Sequence, residues 1–178
     1  MKKRIVFLVI YLVVISSSST FASSEGTRQI TGSGISLFFM NDKVFGTANT
    51  SPLWAIYNCG TAIKGKIDIK GTYHSFDFAY HNKGDKIITG TFGPLKMSMG
   101  KFNKTSKGIL YHVFVDNKKH TFSIQYEKVQ NGHMLNSIIQ GRIDKNRPIR
   151  LKADGQLCPF ATTGIIMIML GAAYLTGN

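Results

Sequence analysis

The chain has 178 residues, with 22 Lys plus Arg, 9 Asp plus Glu, 5 His and 2 Cys. At 43% hydrophobic and 17% charged it carries enough apolar material for one packed domain, which excludes a disordered tail and a collagen-like chain. Only the two ends hold apolar runs that could engage a bilayer, so a bundle of transmembrane helices is excluded as well.

The chain opens with Lys2, Lys3 and Arg4, followed by an unbroken apolar run from Ile5 to Ile15, a serine run, and Thr20-Phe21-Ala22. A basic head, an apolar middle and a small-residue cleavage site make up a secretory signal, with cleavage expected after Ala22. An uncleaved anchor is the alternative, but the run falls short of the roughly 20 residues that span a bilayer. The sequence therefore divides into a signal peptide (1–22), a flexible start (23–30), a β domain (31–155) and an apolar C-terminal segment (156–178). Cleavage would remove three positive charges and lower the net charge from +13 to +10. The expected location is extracytoplasmic: periplasm, cell envelope or secreted.

Mature Lys and Arg are scattered, in twos at most, as at Lys118-Lys119. Such a surface keeps a domain soluble and favours acidic partners. Export, and the lack of a nucleic-acid-binding motif in its required context, argue against nucleic acid.

From residue 30 to 152 the dominant signal is alternation with period 2. Ile63, Gly65, Ile67 and Ile69 alternate with Lys64, Lys66, Asp68 and Lys70. Phe76, Phe78 and Tyr80 alternate with Ser75, Asp77 and Ala79, and Phe122, Ile124 and Tyr126 with Thr121, Ser123, Gln125 and Glu127. One apolar and one polar face mark antiparallel strands, because parallel strands are apolar on both. Asn41-Asp42, Asn82 to Asp85, Lys104 to Gly108, Asp116-Asn117, Asn131-Gly132 and Asp144 to Asn146 supply the turns. The expectation is an all-β, meander-like antiparallel barrel or sandwich of about nine or ten strands. A membrane-spanning barrel is a minor alternative: its strands run about ten residues with an apolar outer band, whereas here one face repeatedly carries Lys.

The C-terminal segment reads Gly164 to Leu175 without a charge. Three readings stay open: a packed last element, a membrane-associating tail, or a removable anchor signal. A membrane contact through Gly164–Leu175 is therefore one expected partner interaction.

Cys59 and Cys158 are the only cysteines, and in an exported chain the simplest reading is one disulfide. It would close a loop of about 100 residues, worth on the order of 4.7 kcal/mol in the chain-entropy picture. The sharper alternative makes Cys59 a nucleophile with His74 or His112 as base. The five histidines form no HExxH or similar spacing, the nine acids form no recognisable catalytic pair, and no GxSxG elbow occurs. No metal, cofactor or catalytic group is therefore assigned. Aromatics are dense across the β region, and Trp54, Tyr73, Phe76, Phe78, Tyr80 and Tyr111 are the candidate ligand-binding residues. By strand parity most are core, but in a closed barrel they could line an apolar pocket. The functional expectation is an exported, non-catalytic binding protein whose partner is acidic or apolar. A small-ligand carrier barrel and an envelope enzyme using Cys59 are the alternatives.

Overall fold

The computed structural model describes residues 28–81, 84–106 and 108–177. The expected signal peptide lies outside the described residues. Among the described residues thirteen strands form a single antiparallel sheet: β1 (Arg28–Gly32), β2 (Ile35–Met40), β3 (Lys43–Ala48), β4 (Ser51–Asn58), β5 (Ala62–Ile69), β6 (Thr72–Tyr80), β7 (Lys86–Phe92), β8 (Leu95–Gly100), β9 (Asn103–Thr105), β10 (Gly108–Val115), β11 (Lys118–Gln130), β12 (His133–Arg142) and β13 (Pro148–Leu157). A helix, α1 (Pro159–Thr176), follows. Each strand pairs with its neighbour in sequence, except that β10 skips the three-residue β9 to reach β8, with Val113 opposite Met99. β13 pairs back onto β1, with Ala153 opposite Ile30, so twelve strands close into a barrel and β9 lies beside it.

The barrel resolves the choice between barrel and sandwich, and it corrects the strand count of nine or ten. The discrepancy lies mainly in the first thirty described residues, where four strands are joined by two-residue turns. Ser33-Gly34 and Asn49-Thr50 each place two successive residues at positive φ (43° and 79°, 49° and 66°). That is the hairpin geometry that matches strand twist. Its usual sequence signal is Asn-Gly or Asp-Gly; Ser-Gly is weaker, and Thr50 is a β-branched residue rarely found there. The first strand also begins at Arg28, inside the segment read as a flexible start.

The lumen holds α1. An eight-stranded barrel is just wide enough for side chains to fill, so twelve strands enclose a wider space. An apolar helix about 10 Å across fills it. Every residue from Phe160 to Ala173 is buried, whichever way it points around the helix axis. A helix apolar all round belongs in a core or a membrane, and here the barrel supplies the apolar surroundings. This helix is long and apolar enough to cross a membrane by length and composition, and 78% of it is buried inside the barrel. Gly164–Leu175 is thus a packed last element rather than an exposed tail. Ile63, Phe78, Phe92, Met99, Tyr111, Phe122 and Ile124 from the wall join Ile165, Ile166, Met167, Ile168 and Leu170 in one core cluster. Packing is close at Gly171, where a Cβ would run into the Phe92 ring. The two hydroxyls carried inward, Thr162 and Thr163, bond back to the carbonyls of Cys158 and Pro159 at 3.3 and 2.8 Å, so neither is left unpaired.

Cys59, in the turn between β4 and β5, is disulfide-bonded to Cys158 at the start of α1, with Cα atoms 6.4 Å apart. The bond ties the helix to the barrel rim where it enters. At the opposite end His120 and Tyr174 bond at 2.8 Å, and the Lys118 ammonium sits 5.6 Å from the Tyr174 ring centre. α1 is therefore held at both mouths.

Candidate functional site

The outward faces of β2, β3 and β4 carry large apolar side chains where the rest of the exterior is mainly polar. Strand register sets them in two rows across the wall. In one row Phe38 faces Phe45, Phe45 faces Trp54, and Trp54 faces Lys66 of β5. In the next row Met40 faces Lys43, Lys43 faces Ile56, and Ile56 faces Lys64. The Phe38 and Phe45 rings are stacked with centres 6.0 Å apart. Trp54 is 50% exposed and Met40 60%, values at which a large apolar side chain is paying for contact with water. The partner face of each strand explains why these residues point outward: Leu37, Phe39, Val44, Leu53, Ala55 and Tyr57 alternate with them and are buried against the lumen.

Charge is interleaved with this patch. Lys43 lies between Met40 and Ile56, and Lys66 stands beside Trp54; neither makes an ion pair among the described residues. Lys64 bonds Asp77 at 2.9 Å, with both side chains mostly exposed, so that pair adds little stability. Asp68 accepts the backbone N–H of Gly71 at 2.8 Å, and Asp42 lies in the turn at the end of the patch.

The six aromatics expected from sequence do not converge. Trp54 and Tyr73 are on the outer wall, Tyr73 being 72% exposed. Phe76, Phe78 and Tyr111 are fully packed in the lumen; Phe76 stacks on Phe92, and Tyr111 on Phe122. Tyr80 meets Phe160 edge-on where α1 enters. Only Trp54 belongs to the apolar wall. Phe38, Met40, Phe45 and Ile56 were missed, although a signal was present: Leu37-Phe38-Phe39-Met40 is apolar at four successive positions, so a strand there must be apolar on both faces.

Two further features bear on chemistry. Near the disulfide, the Tyr57 hydroxyl contacts the Cys158 sulfur. Burial pushes the Tyr57 phenol up to about 12, with Arg28 opposing the shift. Both sulfurs are in the disulfide and the phenol stays neutral, so no nucleophile or base is assembled there. At the other mouth, a cavity of about 820 Å³ opens beside the end of α1. Its floor is Met169, Ala172, Ile69 and Ile149, and its rim includes Lys70 and Arg147. Arg147 is already engaged by Asp144 at 2.6 Å, and the Asn146 backbone N–H, followed by the Arg147 side chain, holds that carboxyl below its usual range. Among the described residues no three His, Cys, Asp or Glu side chains are placed to hold a metal ion. Compared with known protein families, curated proteins and solved structures, the chain finds no match in any of the three.

Proposed function

We propose that this protein is a non-catalytic binding domain working outside the cytosol, and that its binding face is the Phe38–Phe45–Trp54 wall. The observation that carries the reading is the side-by-side display of these three rings, with Met40 and Ile56, on adjacent strands that need none of them for the core. Large exposed apolar patches on folded domains mark interaction sites. The interleaved Lys43 and Lys66 favour a partner that is acidic as well as apolar. A compartment outside the cytosol fits the signal-like head and the Cys59–Cys158 bond.

The test is photo-crosslinking in the producing cell, with a benzophenone amino acid at position 54 or at position 119. Lys119 points outward from β11, on the opposite side of the barrel from β4. Adducts from position 54 and none from position 119 are expected. No adduct from position 54, or equal labelling from both, overturns the reading.

The mouth cavity supports a second reading, a carrier of a small amphiphile. Its volume lies within the usual 300–1,000 Å³ range of ligand sites, and its floor is apolar. Native mass spectrometry of the purified protein would show a retained small molecule that Ala172→Trp expels; ligand-free spectra from every source count against it.

A further inference from the structure

We infer that the partner of the β2–β4 wall is an anionic lipid surface. The inference rests on that wall being the binding face, and three features of the wall favour a bilayer over a folded partner. First, the exterior of a closed barrel is convex, and Phe38, Phe45, Trp54, Met40 and Ile56 stand out from it in two rows rather than lining a groove. A convex apolar ridge has no concavity to receive a partner's side chain, whereas it can enter the soft boundary between headgroups and acyl chains. Second, Trp is a residue of that boundary, where its ring is apolar and its indole N–H meets polar headgroups. Third, Lys43 lies between Met40 and Ile56, and Lys66 flanks Trp54 at the end of its row. A lysine there can lay its methylene stem along the apolar patch while the ammonium reaches headgroup phosphate. A second copy of this chain is the poorer occupant, because pairing two such walls would bring their lysines together without an acidic counterpart at the centre.

The acids near the wall are Asp77, engaged by Lys64, Asp68, engaged by the Gly71 backbone, and Asp42 at the patch's end. Asp42 therefore opposes the attraction and offers a variant that should bind more tightly. The membrane contact thus moves from the C-terminal segment, which is inside the barrel, to the outside of the first four strands.

Trp54 is the only tryptophan in the chain, so its fluorescence reports on the wall alone. The experiment mixes the purified full-length secreted product with phosphatidylcholine vesicles, with or without phosphatidylglycerol, and reads co-sedimentation and Trp54 emission. Binding only to the phosphatidylglycerol vesicles is expected, with a blue shift and protection of Trp54 from acrylamide. Each lysine near an anionic surface contributes about five-fold in affinity, so Lys43→Gln with Lys66→Gln should weaken binding about thirty-fold. Asp42→Asn should strengthen it, and Phe38→Ser with Phe45→Ser should abolish the shift. Far-UV circular dichroism confirms that each variant is folded. No binding to either vesicle overturns the inference. So does anionic binding that leaves Trp54 emission unchanged and ignores the wall substitutions, since that is adhesion by net charge. If position 54 crosslinks to a protein while vesicles do not bind, the wall reading stands and the lipid inference fails.

Discussion

The molecule has two apolar surfaces built from the same kinds of residue, and they differ in what covers them. The inner surface of the barrel is covered by α1: Phe92, Tyr111 and Phe122 are fully buried, and helix residues from Phe160 to Ala173 meet them. The outer surface of β2 to β4 carries Phe38, Phe45 and Trp54 partly exposed to solvent, with no element packed over them among the described residues. The inner set stabilises the fold. The outer set lies outside the buried core, and it is the face proposed above to bind a partner. Substitutions in the two sets should therefore separate stability from binding.

The largest effect is expected in the lumen. Ile166→Asp would place a carboxylate at a fully buried position of the helix, at a cost beyond about 4 kcal/mol. Loss of the cooperative unfolding transition by circular dichroism is the expected result, and a folded variant would show that the helix can leave the barrel. Next comes the rim. Replacing Cys59 and Cys158 together by Ser releases a loop closed over a sequence separation of 99 and should cost about 2–5 kcal/mol in denaturant titration. A smaller loss, about 1–3 kcal/mol, is expected for Gly171→Ala. Alanine is the better helix former, but its methyl would meet the Phe92 ring, itself stacked on Phe76, so the wall must give. Stabilisation by Gly171→Ala would mean the helix and wall are less tightly packed than the structure has them.

Much of this division was legible in the sequence and part was not, for physical reasons. Alternation in Ile63 to Lys70 and Ser75 to Tyr80 marks half-buried strands because one polar face is enough to orient a strand. Cys59 and Cys158 could be read as a pair because two cysteines admit a single intramolecular disulfide. The strand count came out low because Ser33-Gly34 and Asn49-Thr50 lack the commonest hairpin residues. The role of Gly164–Leu175 was undecided because a helix apolar on all sides carries no period that points to one neighbour. Whether barrel or bilayer surrounds it depends on how many strands close, and that is a long-range property. The wall was half visible: Trp54 stood out as a large aromatic, but the match of Phe38 to Phe45 to Trp54 requires the register of three strands.

A pH effect of moderate size tests the far mouth. His120 is buried against Tyr174, and burial holds its imidazole below the ordinary histidine value. Lys118 acts in the same direction, while the Arg142 and Ile143 carbonyls and Asp144 act against it. A histidine depressed in the folded state is protonated more readily in the unfolded chain. Stability from this group is therefore present above about pH 6.5 and declines as pH falls below it. His112, lowered by partial burial and by Lys119, adds to the same slope. Melting temperature measured from pH 8 to pH 5 should fall, and His120→Gln should flatten the decline. A slope unchanged by His120→Gln would assign the effect to other groups.

The smallest stability effect is expected at the wall, and it is the sharpest test of the comparison. Trp54→Ser removes the largest side chain of the patch, yet that side chain faces solvent and its strand is held by Leu53, Ala55 and Tyr57 on the buried face. Exposed substitutions of this kind usually change stability by no more than about 0.5 kcal/mol. Serine forms strands less readily than tryptophan, so a small loss is the expected sign. A matching change at Phe92, on the inner face, removes comparable aromatic area and should cost about 3–5 kcal/mol as Phe92→Ala. If Trp54→Ser were to cost as much as Phe92→Ala, the outer rings would be part of the folding core after all, through cross-strand packing of Phe38, Phe45 and Trp54. The wall would then need no partner to account for it. A near-zero change in unfolding midpoint, together with loss of crosslinking or vesicle binding in Phe45→Ser, leaves recognition as the reason these rings stay in water.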